Sequence, residues 1–537
     1  MKRLLVICIF WVIAALGLSQ GSVSGTFQNP VLHADYSDPD AIRVGADYYM
    51  IASSFNHVPG LPILHSTDLV NWNLIGYALQ HLLPYEHFSK VQHGGGVWAP
   101  AIRFHKGEFY IFYPDPDFGI YMIKAKQITG AWSQPVLVEK GKGLIDPCPL
   151  WDDDGKLYLV HAFAGSRAGI KSLLVVKELS ADGTRVIGDG KLVYDGHESD
   201  PTIEGPKFYK RKGWYYIFAP AGGVSTGWQT VLRSSSVYGP YERKVVMAQG
   251  NAPVNGPHQG AWINTITGED WFLHFQDKDA FGRIVHLQPM SWKNNWPVIG
   301  TDSDGDGTGQ PVAEYTMPNI GWSKKIPQKT DPQKNLPAKT NQQIAAFDHI
   351  IGLEWQWQAN PKQHWAYIYQ QKIRMYAADL PDSAKNYWNM PALLMQKFPS
   401  AEFSATTKLS LHSNTIGERA GLIIFGTDYA SVYLENTATG IQVRKAVCLN
   451  ADKGKPESVQ VLKQLTIAAV YIKVAVDKNG YCDFYFSEDG VNFQPAEGRF
   501  LAKPGKWVGA KAGIYCSRAA FKNDAGYADF DWFIFKK

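Results

Sequence analysis

The chain has 537 residues, of which 45% are hydrophobic, 13% aromatic and 19% charged, with 50 glycines. That length exceeds one ordinary domain, and many aromatics with frequent glycine predict a β-rich globular protein rather than a helical bundle or a disordered chain. The formal charge is +4 and includes Lys2 and Arg3, which lie in a segment expected to be removed, so neither nucleic acid nor an anionic membrane is an expected partner.

The amino terminus, MKRLLVICIFWVIAALGLSQGSVSG, sets two basic residues before an apolar run from Leu4 to Leu18. This is the form of a secretory signal peptide, assigned to residues 1–20. The run is short of the ~20 residues a membrane span needs. Nothing later is long and apolar enough to span a bilayer, so the mature chain is expected to have no span. Export is expected, to the periplasm ahead of the exterior. Cys148, Cys448, Cys482 and Cys516 show neither metal-ligand spacing nor a dense disulfide framework. Cys482 and Cys516 sit in strand-like segments where a pair is conceivable; buried free thiols are the favoured reading.

Five segments then repeat one pattern: DPDAIRVGADYYMIASS, WAPAIRFHKGEFYIFYP, DPCPLWDDDGKLYLVHA, EGPKFYKRKGWYYIFAP and HQGAWINTITGEDWFLHF. Each is an apolar strand, a polar turn with glycine, and a second strand rich in Tyr, Phe, Trp and Ile. The turn glycines, Gly45, Gly107, Gly155, Gly213 and Gly268, are 48 to 62 residues apart. That leaves room for two more strands per unit, which makes each unit a propeller blade. A five-bladed β-propeller is predicted over residues 27–320. Asp38, Trp98, Asp146, Glu204 and His258 lie seven to ten residues before these glycines. They are expected at one place in successive repeats, near the start of the innermost strand, facing one end of the central channel. In the first repeat Pro39 fixes the chain entering the strand, and Asp38 rather than Asp40 is the positional equivalent of Asp146 and Glu204.

Near the end of this region, TDSDGDGTGQPVAE places Asp302, Asp304, Asp306 and Gly307 like the start of a calcium loop. The twelfth position is Ala313, not Glu, so a solvated turn is favoured, with a bound calcium ion as the alternative. Residues 321–345 are polar and rich in Lys and Pro, and read as a linker. Residues 346–537 contain short alternating segments such as EFSATTKLSL, VYIKVAVD and ADFDWFIFKK, which predict an antiparallel β-sandwich. Trp355, Trp357 and Trp365 are candidates for sugar contact there, with packing the favoured role.

Three carboxylates from different blades, converging with a histidine, repel one another in a partly desolvated site and force at least one pKa up. Such clusters are kept where chemistry uses them. One protonated and one ionised carboxylate across a glycosidic bond is the requirement for glycoside hydrolysis. Separate blades give room for a water between them, which predicts inversion.

These segments resemble glycoside hydrolase family 43, the β-xylosidases and α-L-arabinofuranosidases. The matching stretches are NPVLHADYSDPDAIRVGADYYM, SSFNHVPGLPILHSTDLVNW, GGGVWAPAIRFHKGEFYIFY, LIDPCPLWDDDGKLYLV and TIEGPKFYKRKGWYYIF. The resemblance implies Asp38 as general base, Glu204 as general acid, and Asp146 as the carboxylate that raises and orients the acid. It implies His258 beneath the sugar, Phe55 and Trp98 as aromatic walls, and Arg283 as a donor to sugar hydroxyls. It implies that no cofactor is required. One departure is Ala101, where many relatives carry Asp after Trp-Ala-Pro. The second domain resembles the lectin-like, concanavalin-type sandwich of larger members, which packs on the propeller and can send a loop to the rim. The whole is therefore expected to be all-β. The expected activity is exo-acting release of a terminal pentose from hemicellulose oligosaccharides. The resemblance leans to α-L-arabinofuranosyl over β-D-xylosyl units, with a non-catalytic sugar-binding propeller as the contrasting class.

Overall fold

The computed structural model describes residues 25–321, 351–519 and 523–537. The leader expected at residues 1–20 lies outside them, as does all of the expected linker but Gly321. The first described region is a ring of five four-stranded antiparallel sheets, each built from consecutive strands. Blade 1 runs from Asp40–Val44 to Asn73–Leu79, and blade 2 from Ala101–His105 to Val136–Lys140. Blade 3 runs from Leu144–Trp151 to Val186–Asp195 and blade 4 from Lys207–Arg211 to Glu242–Met247. Blade 5 runs from His258–Asn264 to Trp296–Ile299. The five turn glycines all take positive φ, between 65° and 91°. A Cβ there would meet nothing within 4 Å, so backbone conformation and not lack of space demands glycine.

Burial explains how the ring closes. The second strands of blades 2 and 4, Glu108–Asp115 and Trp214–Ala221, are buried over nearly their whole length, because neighbouring blades cover both faces. The outermost strand Val186–Asp195 is mostly exposed. A separate apolar cluster fills each gap between blades. Ile63 and Ile111 share one cluster, Phe112 and Leu159 a second, and Val160 and Ile217 a third. Phe218 stacks on Phe272, and a cluster holding both Leu273 and Met50 closes the circle. The chain ends of the ring are tied too. Thr26–Gln28 pairs antiparallel with Glu314–Thr316, and Asn29 Nδ2 donates to the carbonyls of Leu287 and Val312 at 2.8 and 2.9 Å.

The second region is a sandwich of an eight-stranded and a seven-stranded sheet. Its strands alternate buried and open residues, as in Phe403–His412 and Ala469–Val476. Trp355, Trp357 and Trp365 are at most 9% exposed and belong to this core, so packing is their place. Cys482 and Cys516 are buried free thiols on the two facing sheets; the pairing considered from sequence is not formed. The sandwich is joined to the propeller by main chain as well as side chains. Val58 and Trp357 exchange backbone hydrogen bonds of 3.0 and 2.7 Å, and Ala510 N donates to Ala280 O at 2.7 Å. Ala280, Phe281 and Ile284 of blade 5 join the sandwich core. No helix among the described residues is long and apolar enough to cross a membrane.

Candidate active site

Asp38 and Asp146 each precede a proline and share a left-handed backbone, with φ of 55° and 56°. For a non-glycine residue this is a strained conformation of the kind found at functional sites. In blade 4 the residue with that backbone is Gly205 (φ 60°), not Glu204. Glu204, Trp98 and His258 stand one residue earlier in their blades. The expectation that all five share one place is therefore corrected by one register step. Counting back from the glycine turn hid the offset, because the strands before it differ in length. Gly205 has a second reason to be glycine: a Cβ there would come within 2.7 Å of the Gln259 side chain.

The three carboxyls meet at one end of the channel. Asp38 is 5% exposed and accepts three hydrogen bonds: from Ser37 Oγ at 2.8 Å, from Ser53 Oγ at 2.5 Å and from Arg283 Nη1 at 3.1 Å. Arg283 Nη1 also donates to Ser37 Oγ at 2.6 Å, so serine and guanidinium brace the same carboxylate. Asp146 accepts the Gly205 amide at 2.7 Å. Burial pushes its carboxyl up to about 7; the Gly205 amide and Lys207 oppose the rise, while the charge of Asp38 adds to it. Glu204 is pushed up to about 8, by burial first and then by Asp146 and Asp38, against Arg283 and Lys171. Its side chain keeps 35% of its surface open, as a group at the floor of an opening would.

His258 is 1% exposed, and neither ring nitrogen has a hydrogen-bond partner. Burial, with Arg283 and His274 adding, lowers it to about 3. The imidazole is neutral at working pH, so its 3.5 Å approach to Glu204 Oε1 is a polar contact and not an ion pair. Trp98 is half-buried, fixed by its indole N–H on Gly94 O at 2.9 Å. Phe55 lies edge-on to it with centroids 6.4 Å apart, but is itself 3% exposed and offers little face. Asp40 pairs with Arg103 at 2.7 Å and accepts the Ile102 amide at 2.8 Å, a structural role between blades 1 and 2. Ala101 is fully buried on the inner strand of blade 2. The oxygens of Asp302, Asp304 and Asp306 come within 4.8 Å of one another, on a turn where Asp302 also accepts the Gly305 and Gly307 amides.

Several site residues were not named from sequence. Ser37 and Ser53 look like any strand-end serines, although Ser37 adjoins the Asp-Pro motif. Lys171 sits in an irregular loop. Trp507 comes from the sandwich, half-open at 43%, with its ring 6.4 Å from Trp98 and 5.9 Å from the Arg283 guanidinium. Its loop is seated by Gly509 N on Asp35 Oδ2 at 3.0 Å. The only sequence signal was a tryptophan flanking a Pro-Gly turn.

A propeller mouth with two carboxyls raised towards neutrality, and a third braced by donors, carries the machinery of a glycoside hydrolase. The comparisons agree. Residues 27–297 match the model of glycosyl hydrolases family 43, and residues 346–536 match the beta xylosidase C-terminal concanavalin A-like domain. The chain belongs to glycosyl hydrolase family 43. It is 38% identical over 495 residues to a putative beta-xylosidase of Xylanibacter ruminicola, covering 91% of this chain and 86% of that one. It is 28% identical over 569 residues to a non-reducing end alpha-L-arabinofuranosidase of Bacteroides ovatus, covering 99% and 98%. Among solved structures, the GH43 protein BlXynB from Bacillus licheniformis superposes with a TM-score of 0.80 at 26% identity, covering 95% of this chain and 99% of that one.

Proposed function

We propose that the protein is an exported, exo-acting, inverting glycosidase that removes terminal pentose units from xylan-type oligosaccharides. One observation carries the reading: Glu204 is held protonated to about pH 8, while Asp38 is braced by three donors at the same opening. Glu204 gives its proton to the glycosidic oxygen as the bond from the anomeric carbon to that oxygen breaks. A water attacks the same carbon from the opposite face, and Asp38 takes its proton. Asp146 raises and orients the acid. Arg283 fixes Asp38, and Trp98 offers an apolar face for a sugar ring. Both proton transfers use protein carboxyls, so the proposed step calls on no cofactor. The apolar leader supports export, which cell fractionation tests.

Two terminal sugars are supported. The relative at 38% identity carries a β-xylosidase name, which favours the β-D-xylosyl unit. The α-L-arabinofuranosidase relative aligned over nearly the whole chain keeps the arabinofuranosyl unit as the second reading. Hydrolysis of p-nitrophenyl β-D-xylopyranoside and α-L-arabinofuranoside, side by side, decides between them. NMR of the first-formed anomer reads the stereochemistry. Turnover with inversion, lost in Asp38→Asn and Glu204→Gln, is the expected outcome; retention of configuration overturns the mechanism.

A further inference from the structure

Beside the catalytic opening, over blade 2, lies a cavity of about 480 Å³. His87, Gln92, Asp117, Lys142 and Arg167 line it from the propeller, and Asn389 from the sandwich. One ring separates it from the site. The Arg167 guanidinium lies 5.4 Å over the Trp98 ring, whose indole N–H is held by Gly94 in the loop that also lines the cavity. The loop carrying Arg167 continues to Lys171, whose charge acts on the Glu204 carboxyl. In the proposed function Glu204 protonates the leaving oxygen, and the Arg167 contact with Trp98 is the ground on which the cavity is assigned to the leaving-group side.

The cavity has more positive than negative charge. Arg167 has a single acidic contact, Nε to Asp117 Oδ1 at 3.3 Å, and a second bond to Ser166 Oγ at 3.1 Å. Lys142 is exposed, with no hydrogen bond or ion pair among the described residues. Lys506, from the Trp507 loop, packs over Gly94 at the rim. Asp115 lies buried behind Asp117 and is occupied by the Asp117 amide at 3.0 Å. Asp117 is thus the one carboxylate among the lining residues, against Lys142, Arg167 and nearby Lys506.

We propose that this cavity is a leaving-group subsite for an acidic sugar, a uronic acid unit carried on the oligosaccharide beyond the scissile bond. Its carboxylate pairs with Lys142 and the free edge of Arg167, while the Gln92 and Asn389 amides bond its hydroxyls. The inference rests on Glu204 as the general acid. The test compares a xylo-oligosaccharide bearing one glucuronic acid with the undecorated oligosaccharide of equal length, with p-nitrophenyl β-D-xylopyranoside as control. At low salt, kcat/KM is expected to be roughly tenfold higher for the acidic substrate, the scale of one charge-assisted hydrogen bond. Lys142→Gln removes that preference and leaves the aryl glycoside within about twofold, and 0.5 M salt weakens it in the wild type. Equal kcat/KM for the two oligosaccharides, or a preference that survives Lys142→Gln, overturns the subsite. Loss of all turnover breaks the proposed function instead. Calorimetric binding of the same two oligosaccharides then still reads the cavity: equal affinities refute it, and a Lys142-dependent preference supports it.

Discussion

Asp200, under the outer strands of blade 4, and Asp146, at the channel mouth, are 0% and 4% exposed. Burial alone raises the pKa of both. Asp200 is nevertheless held down to about 2, because Arg243 donates twice at 2.7 Å and Tyr194, Thr230 and Trp228 donate as well. Asp146 has one backbone amide, Lys207 and Gln259 to oppose burial and the charge of Asp38, and still rises to about 7. Two carboxyls hidden from solvent shift in opposite directions because the neighbours differ. The Asp200 site spends its donors on holding a charge, whereas the channel mouth leaves its repulsion unresolved, which is the state an acid catalyst needs.

The sharpest break of this comparison exchanges one carboxyl on each side. Glu204→Gln is expected to lower kcat about 10³-fold, the scale of a lost general acid, with the melting temperature held or raised. Asp200→Asn is expected to do the reverse. It leaves Arg243 without its counter-charge and costs about 3 kcal/mol by urea denaturation, near the low end for a broken buried pair because Arg243 is 34% exposed. Its turnover per folded molecule stays within about twofold. An Asp200 variant that is stable but inactive would remove the distinction.

The pH dependence sharpens the comparison further. Glu204 is active protonated and its pKa is raised, so activity is expected to fall as pH rises through about 8. The same raised pKa means the folded state binds more protons than the unfolded one above about 4.5, so this group's contribution to stability declines as pH climbs from there to about 8. Asp146→Asn removes the second cause of the rise. It is expected to move the basic limb of kcat/KM to lower pH by about one unit, and to raise the melting temperature more at pH 8 than at pH 5. An unmoved limb would leave burial and Asp38 as the causes.

The repeats were legible because a blade repeats its turn: five glycines at positive φ mark five hairpins, and the aromatic second strands announce burial on both faces. The carboxylates were legible because Asp-Pro and Glu-Gly-Pro punctuate the strand starts. The one-residue offset of Glu204 was not, since only the backbone conformation at Asp38, Asp146 and Gly205 reveals which residues are equivalent. The donors on Asp38 come from positions 37, 53 and 283, and only ring closure between blades 1 and 5 brings the last of them in. Trp507 was hidden for a stronger reason. Its place depends on how one domain sits on the other, and no periodicity within either domain encodes that.

Trp507 therefore gives the smallest and most pointed test. Its loop is anchored through Gly509 on Asp35, and Asp35 also accepts the Arg283 amide at 2.9 Å. The sandwich thus reaches the residue that braces Asp38 by two routes, one by the Trp507 ring and one through Asp35. Trp507→Ala removes only the ring. The side chain is 43% exposed and edge-on to Trp98, so the expected loss in kcat/KM is roughly fivefold, carried by KM, with the melting temperature unchanged. A loss beyond about a hundredfold in kcat would mean that the ring holds Arg283, and through it Asp38, in place. The sandwich would then act on the chemistry and not only on the rim. Arg283→Lys distinguishes the two cases: if the ring matters only at the rim, Trp507→Ala and Arg283→Lys add independently, and if it acts through the guanidinium, the double variant is no worse than Arg283→Lys alone.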